Sequence, residues 1–139
     1  MKIVLDTNVV VSGLLNSQGT PAQVLALVLA GAVQICHDDH ILAEYAEVLA
    51  RPRFNFDANR IREVLTKIET DGLPVDAAGQ PDLKLPDADD ESFLAVALAA
   101  SVDFLVTGNL SDYPPGSRRG CRVVSPAAFM VAWHKIAGK

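Results

Sequence analysis

MKIVLDTNVVVSGLL, Met1 to Leu15, is the stretch on which the reading of the whole chain turns. Lys2 to Leu5 make a short apolar run, Asp6 closes it, and Asn8 to Leu15 suits a short helix. A near-continuous apolar run that feeds straight into a helix is the opening of an α/β unit with a strand buried on both faces. In open α/β sheets ligands bind outside the carboxyl ends of the strands. Asp6 stands at such an end. Its rival explanation is a helix cap, but Asn8 is itself a competent cap for the run that follows.

Outward from there, strand and helix patterns alternate. After the turn-prone NSQGT, Thr20 and Pro21 form an N-cap and N1 pair for a helix from Pro21 to about Ala30, stopped by Gly31. VQICH (Val33–His37) is a second strand. Asp38 or Asp39 caps a third helix, on which Ile41, Leu42, Tyr45, Val48 and Leu49 follow helical spacing until Pro52 ends it. Asp57 caps a fourth, with Ile61, Val64, Leu65 and Ile68 as its stripe. LPV (Leu73–Val75) is a short strand, and the polar DAAGQPDLKLP follows. Asp87 caps a fifth helix, ESFLAVALAAS. DFLVTG (Asp103–Gly108) is a strand, NLSDYPPGSRRG a loop, and CRVV (Cys121–Val124) the last strand. Ser125 as N-cap and Pro126 at N1 open the last helix. The order βααβααβαβα, with one strand poorly formed, predicts an α/β fold. The expected architecture is a single domain over residues 1–139. Its central, mostly parallel sheet of four to five strands is flanked by helices on both faces.

Of 139 residues half are apolar, enough for one domain with a real core. No repeat or linker divides the chain. Mean hydropathy is +0.23, yet the longest apolar run, VLALVLAGAV, is too short for a membrane span. The N-terminus lacks the pattern of a signal peptide, so a cytoplasmic location is expected. Cys36 and Cys121, both in apolar runs, read as buried reduced thiols. The net charge of −5 argues against a general nucleic-acid binder. The charges are uneven, however. Acids crowd into DADDE (Asp87–Glu91), and basic residues gather at Arg51–Arg53, at Arg60 and Arg62, and at Arg118–Arg122. That pattern suits a metal-using enzyme acting on a phosphate polymer, and equally an ordinary solvated surface. CHDDH (Cys36–His40) offers at most three zinc ligands where four are wanted. No G-x-G-x-x-G, P-loop or nucleophile elbow is present, so a nucleotide cofactor and Ser–His–Asp chemistry have no support.

Four regions place an acid at a strand end or a helix start: Asp6; Glu44 on the third helix; Asp87, Asp89, Asp90 and Glu91 before the fifth; and Asp112 after DFLVTG. A right-handed parallel sheet can bring all four to one edge. Clustered carboxylates repel unless protonated, hydrogen-bonded or bound to a cation. Oxygen-only donor sets suit Mg2+ or Mn2+, and such ions promote phosphodiester hydrolysis. Each acid has a plainer explanation too. Asp87 is a natural N-cap, Asp89 and Glu91 favour the helix dipole, Asp112 fits a turn, and Glu47 is as good a candidate as Glu44 on pattern alone.

These segments together resemble the PIN domain family, in particular the VapC-like toxin ribonucleases of type II toxin–antitoxin systems. MKIVLDTNVVVSGLL is similar to the family's first motif, with Asp6 as its acid and Asn8 two places on. HDDHILAEYAEVLARPRF is similar to the second, with Glu44. DADDESFLAVALAASVDFLVTGN is similar to the third, and LVTGNLSDYP to the last. The resemblance implies a Mg2+- or Mn2+-dependent endoribonuclease acting as a toxin, restrained by a cognate antitoxin and forming a homodimer. It implies Asp6 and Asp90 as principal metal ligands, with Glu44 and Asp112 completing the catalytic acids. Asn8, Thr107, Asn109 and Asp87 would support the ligands or face the substrate. Many relatives carry Asp where this chain has Asn109, which leaves Asp112 as the fourth acid. Rim residues such as Arg51, Arg53, Arg118 and Arg119 would meet the RNA, and helices two to four would supply the dimer face and antitoxin groove. Two other functions compete: a haloacid-dehalogenase-like phosphatase with Asp6 as nucleophile, which lacks its second acid at Asn8, and a PIN-like binding module without activity.

Overall fold

The computed structural model describes residues 1–138. The strands are β1 (Lys2–Leu5), β2 (Gln34–His37), β3 (Leu73–Pro74), β4 (Phe104–Val106) and β5 (Val123–Val124). The helices are α1 (Thr7–Leu15), α2 (Thr20–Leu29), α3 (Asp39–Leu49), α4 (Ala58–Asp71), α5 (Glu91–Ala100) and α6 (Pro126–Ala137). The strands form one sheet in the order β3-β2-β1-β4-β5, and every pairing is parallel. β1 is central, with Ile3 beside Ile35 on one side and Phe104 on the other. Consecutive strand residues point to opposite faces, yet Ile3, Val4 and Leu5 are all fully buried, so helices cover both faces of the sheet. α5 rests on β1, β2 and β4, α3 and α4 on β2, and α6 on β4.

β4 and β5 follow one another with a loop and no helix between them, as read from the residues, so the written order βααβααβαβα is one strand short at its end. The intervening segment contains Pro114, Pro115, Gly116 and Gly120, and it makes only two short 3-10 turns, Leu110–Asp112 and Pro115–Ser117. Two caps also differ. Asn8 lies inside α1 and caps nothing, because Asp6 already holds the N-cap position. Gly19, not Thr20, precedes α2, since the Gly19 carbonyl accepts from the Gln23 N–H. Asp38, Asp57 and Ser125 cap α3, α4 and α6 through their side chains, accepting from Ile41, Arg60 and Ala128. Cys36 is buried as expected, whereas Cys121 is only half-buried, and both thiols are free.

Three contacts fix β1, and the last two lie at the carboxyl end that matters for function. Lys2 N–H donates to Asp103 Oδ2 at 2.9 Å, joining the starts of β1 and β4. At the other end the Asp6 N–H donates to the Val106 carbonyl at 2.9 Å, so pairing continues one residue beyond β1. The Tyr45 hydroxyl, wholly buried on α3, donates to the Leu5 carbonyl at 2.6 Å. This bond fixes α3 against the residue before Asp6. Tyr45→Phe is expected to lower unfolding stability by ~1–2 kcal/mol in urea titration, since a buried acceptor loses its donor.

Candidate active site

Among the described residues only Asp6, Thr7, His37 and Thr107 are buried polar or charged side chains, and three of them meet where β1 and β4 end. Asp6 is 4% exposed. Its Oδ2 accepts the Thr107 hydroxyl at 2.9 Å and the Tyr113 hydroxyl at 3.0 Å. Thr107 is placed by β4, whose last strand residue precedes it, and its Oγ1 also accepts the Asn109 N–H at 3.1 Å. The Thr7 hydroxyl, one residue beyond Asp6, donates to Glu44 Oε2 and so ties α3 to the same edge.

The remaining expected site residues divide. Glu44 is half-buried and reaches the cluster, whereas Glu47 is exposed and pairs with Arg51 at 2.8 Å. Asp90 stands at the N-cap position of α5 without capping it, so its carboxylate is uncommitted. Asp87 is exposed and accepts the Asp89 N–H at 2.9 Å, capping a short 3-10 turn (Ala88–Asp90) that precedes α5 rather than α5 itself. Asn8 Oδ1 accepts the Gly108 N–H at 2.9 Å, so the side chain fastens the loop after β4. A β-carbon on Gly108 would stand 3.2 Å from that oxygen, which favours glycine there. Asn109 is exposed and its Oδ1 accepts the Ser111 hydroxyl, leaving Asp112, half-buried, as the acid whose charge is felt at Asp6 and Asp90.

Sequence reasoning missed Tyr113. Nothing in its type or position marks a tyrosine in a Pro-rich loop as a partner of an acid 107 residues away. The arginine rim is also less free than expected. Arg118 Nε donates to the Tyr113 carbonyl at 2.7 Å, Arg119 to the Asp82 carbonyl at 3.3 Å, and the Arg53 guanidinium lies 4.7 Å from the Phe54 ring centre.

The electrostatics follow from this geometry. The ion pairs among the described residues are Arg51–Glu47, Arg60–Glu63 and Lys67–Asp71, so none neutralises the acids of the cluster. Burial raises the Asp6 pKa, partly offset by the Thr107 and Tyr113 hydroxyls and the Asn8 backbone N–H, and the Asp112 charge raises it further. Burial also raises Glu44, against the Thr7 bond, with Asp6 and Asp89 adding to the rise and His40 opposing it. Asp90 rises from 3.8 to about 7, through burial first and then the charges of Asp6, Asp112, Asp87 and Glu44. Burial and the neighbouring acids raise Tyr113, which keeps its hydroxyl a donor.

Four carboxylates sharing one field without a counter-charge are the donor set that a hard divalent cation satisfies. Among the described residues no three His, Cys, Asp or Glu side chains stand close enough together to hold a metal ion between them. A Mg2+-like ion fits such a site, because it takes one or two carboxylates and keeps several waters. A cavity of about 980 Å3 opens beside the cluster, between the ends of β2 and β3 and helix α5, with His37, Asp38, His40, Glu69 and Ser92 among its walls. None of Asp6, Glu44, Asp90 or Asp112 lines it.

The raised pKa of Asp90 has a stability consequence. Between its ordinary value of 3.8 and about 7 the folded state holds a proton that the unfolded state has lost. This group's contribution therefore falls as pH rises through that window and is level above it. In EDTA, Asp90→Asn is expected to melt higher than the wild type by ~5 °C at pH 8. The difference should shrink towards nothing as pH falls to the ordinary carboxylate range, which thermal melts across pH would show.

The chain matches the PIN domain family over residues 2–111. No curated protein matches it by sequence. Solved structures match in fold. One of FitAB bound to an IR36 DNA fragment has a TM-score of 0.59 and 22% identity, covering 89% of this chain and 94% of that one. One of VapBC2 from Rickettsia felis, bound to a DNA fragment from their promoter, has a TM-score of 0.55 and 15% identity, covering 90% and 98%. The acids of the first three motifs lie inside the matched residues, in order, and the structure gathers them at the carboxyl edge of a parallel sheet. This chain belongs to the PIN domain family.

Proposed function

We propose that this protein is a Mg2+- or Mn2+-dependent endoribonuclease, the toxin of a toxin–antitoxin pair, working as one PIN domain over residues 1–139. PIN domains are generally nucleases, and the observation that carries the finer reading is the shared field of Asp6, Glu44, Asp90 and Asp112. Asp6 and Asp90 would hold the ion. A divalent cation bound there supplies charge to offset the scissile phosphate and acidity for the attacking water.

The chain's own groups set the conditions. Asp6 is oriented by two neutral hydroxyls, so it stays available as an anion without an internal cation competing for it. Glu44, held by the Thr7 hydroxyl, is a half-buried carboxylate of raised pKa, suited to take a proton from water. Asp112, closing the 3-10 turn Leu110–Asp112, adds negative charge to the field at Asp90. The phosphatase alternative needs a second acid two residues after Asp6. Asn8 stands there with its side chain committed to Gly108, and nothing favours that reading.

RNA as the substrate rests on the resemblance to VapC-like toxins. An antitoxin partner is supported by the fold shared with FitAB and VapBC2, both solved bound to DNA. No helix among the described residues is long and apolar enough to cross a membrane. A cytoplasmic homodimer using helices α2 to α4 is the working assembly.

In Mn2+ the purified protein should cleave single-stranded RNA, EDTA should abolish cleavage, and Asp6→Asn should lower kcat at least ~100-fold. Equal cleavage by the two proteins would overturn the assignment. On the far side, Asp112→Asn should lower kcat by ~10-fold, and Asn109→Ala by less than ~2-fold, in the same cleavage assay.

A further inference from the structure

We infer that Tyr113 is a positioning residue that makes Asp6 a one-oxygen ligand, and that it thereby favours small divalent ions over Ca2+. The inference rests on the metal-dependent reading above but on a residue outside the matched family stretch, which ends at Ser111. A carboxylate oxygen has two lone pairs. Asp6 Oδ2 spends both, one on the Thr107 hydroxyl at 2.9 Å and one on the Tyr113 hydroxyl at 3.0 Å. Oδ1 is the oxygen that takes neither hydroxyl, the Asn8 backbone N–H being the other donor to the carboxylate. Two-oxygen chelation would have to break one of two buried hydroxyl bonds.

The Tyr113 hydroxyl is itself held in place. The ring is fully buried. Its backbone N–H donates to the Leu110 carbonyl at 3.0 Å, its carbonyl accepts from Arg118 Nε at 2.7 Å, and Pro114 follows with φ fixed at −56°. The loop is thus folded back so that one phenol meets one carboxylate oxygen. Thr107, fully buried just past the end of β4, brings the second donor. Ca2+ accepts chelating carboxylates and flexible geometry, whereas Mg2+ and ions of similar behaviour require near-octahedral geometry with single-oxygen contacts. A clamp on Oδ2 penalises the first mode and orients Asp6 for the second.

The test is calorimetric titration of the full chain with MnCl2 and separately with CaCl2, using wild type, Tyr113→Phe, Thr107→Val and Thr107→Ser. Circular dichroism confirms that each variant is folded. Tyr113→Phe should bind Mn2+ ~10-fold more weakly with Ca2+ affinity little changed, so that the Mn2+/Ca2+ preference falls. Thr107→Val should do likewise, and Thr107→Ser, which keeps the hydroxyl, should retain the wild-type preference. In RNA cleavage the loss in Tyr113→Phe should fall on kcat and leave KM unchanged. A folded Tyr113→Phe with the wild-type Mn2+/Ca2+ ratio overturns the clamp while leaving the metal site intact. Should that variant not fold, a wild-type ratio in Thr107→Val overturns it instead. A wild type that binds no Mn2+ overturns the metal reading beneath it.

Discussion

Like charges gathered without a counter-charge are the constraint around which this molecule is arranged. Asp6, Glu44, Asp90 and Asp112 reach one sheet edge, and the described ion pairs lie elsewhere. Neutral donors do the holding instead: Thr107 and Tyr113 on Asp6, Thr7 on Glu44. Hydroxyls orient a carboxylate without cancelling its charge, so negative charge remains for the cation proposed above. The cost is visible at Asp90, whose proton is retained to about pH 7. Local rules broken in this way, without an internal compensation, concentrate at functional sites.

The fold serves that constraint directly. β1 lies at the centre of the sheet, so its carboxyl end is flanked on one side by β2, which leads into α3 and Glu44, and on the other by β4, which leads to Thr107. Parallel pairing puts all these ends at the same edge. The Tyr45 bond to the Leu5 carbonyl then locks α3 to β1 at the residue before Asp6, inside the apolar core. Core and site are thus joined through a single peptide unit.

Much of this was legible in the residues. KIVL and QICH read as buried strands because both faces of the sheet are covered, and Asp38, Asp57 and Ser125 announced helix starts that their side chains do cap. Asp6 and Asp90 stood out by their places at a strand end and a helix start, whereas Glu44 and Asp112 were picked by the family resemblance. What stayed hidden depends on contacts distant in the chain. Asn8 looked like a cap, but its partner is Gly108, 100 residues on. Glu44 and Glu47 are indistinguishable until Thr7 takes one and Arg51 the other. Tyr113 gave no signal, because its role comes from how a Pro-rich loop folds back on β1. The arginines looked like a rim for RNA, yet Arg118 and Arg119 are bound to backbone carbonyls.

The central claim is that these acids form a site for a divalent cation, and proton release tests it most directly. Mn2+ binding is measured by calorimetry at pH 7 in two buffers of different ionisation enthalpy. With Asp90 titrating at about 7, the ion should bind and expel about half a proton per site, seen as a buffer-dependent heat. Absence of binding, or binding whose heat is the same in both buffers, would contradict the account.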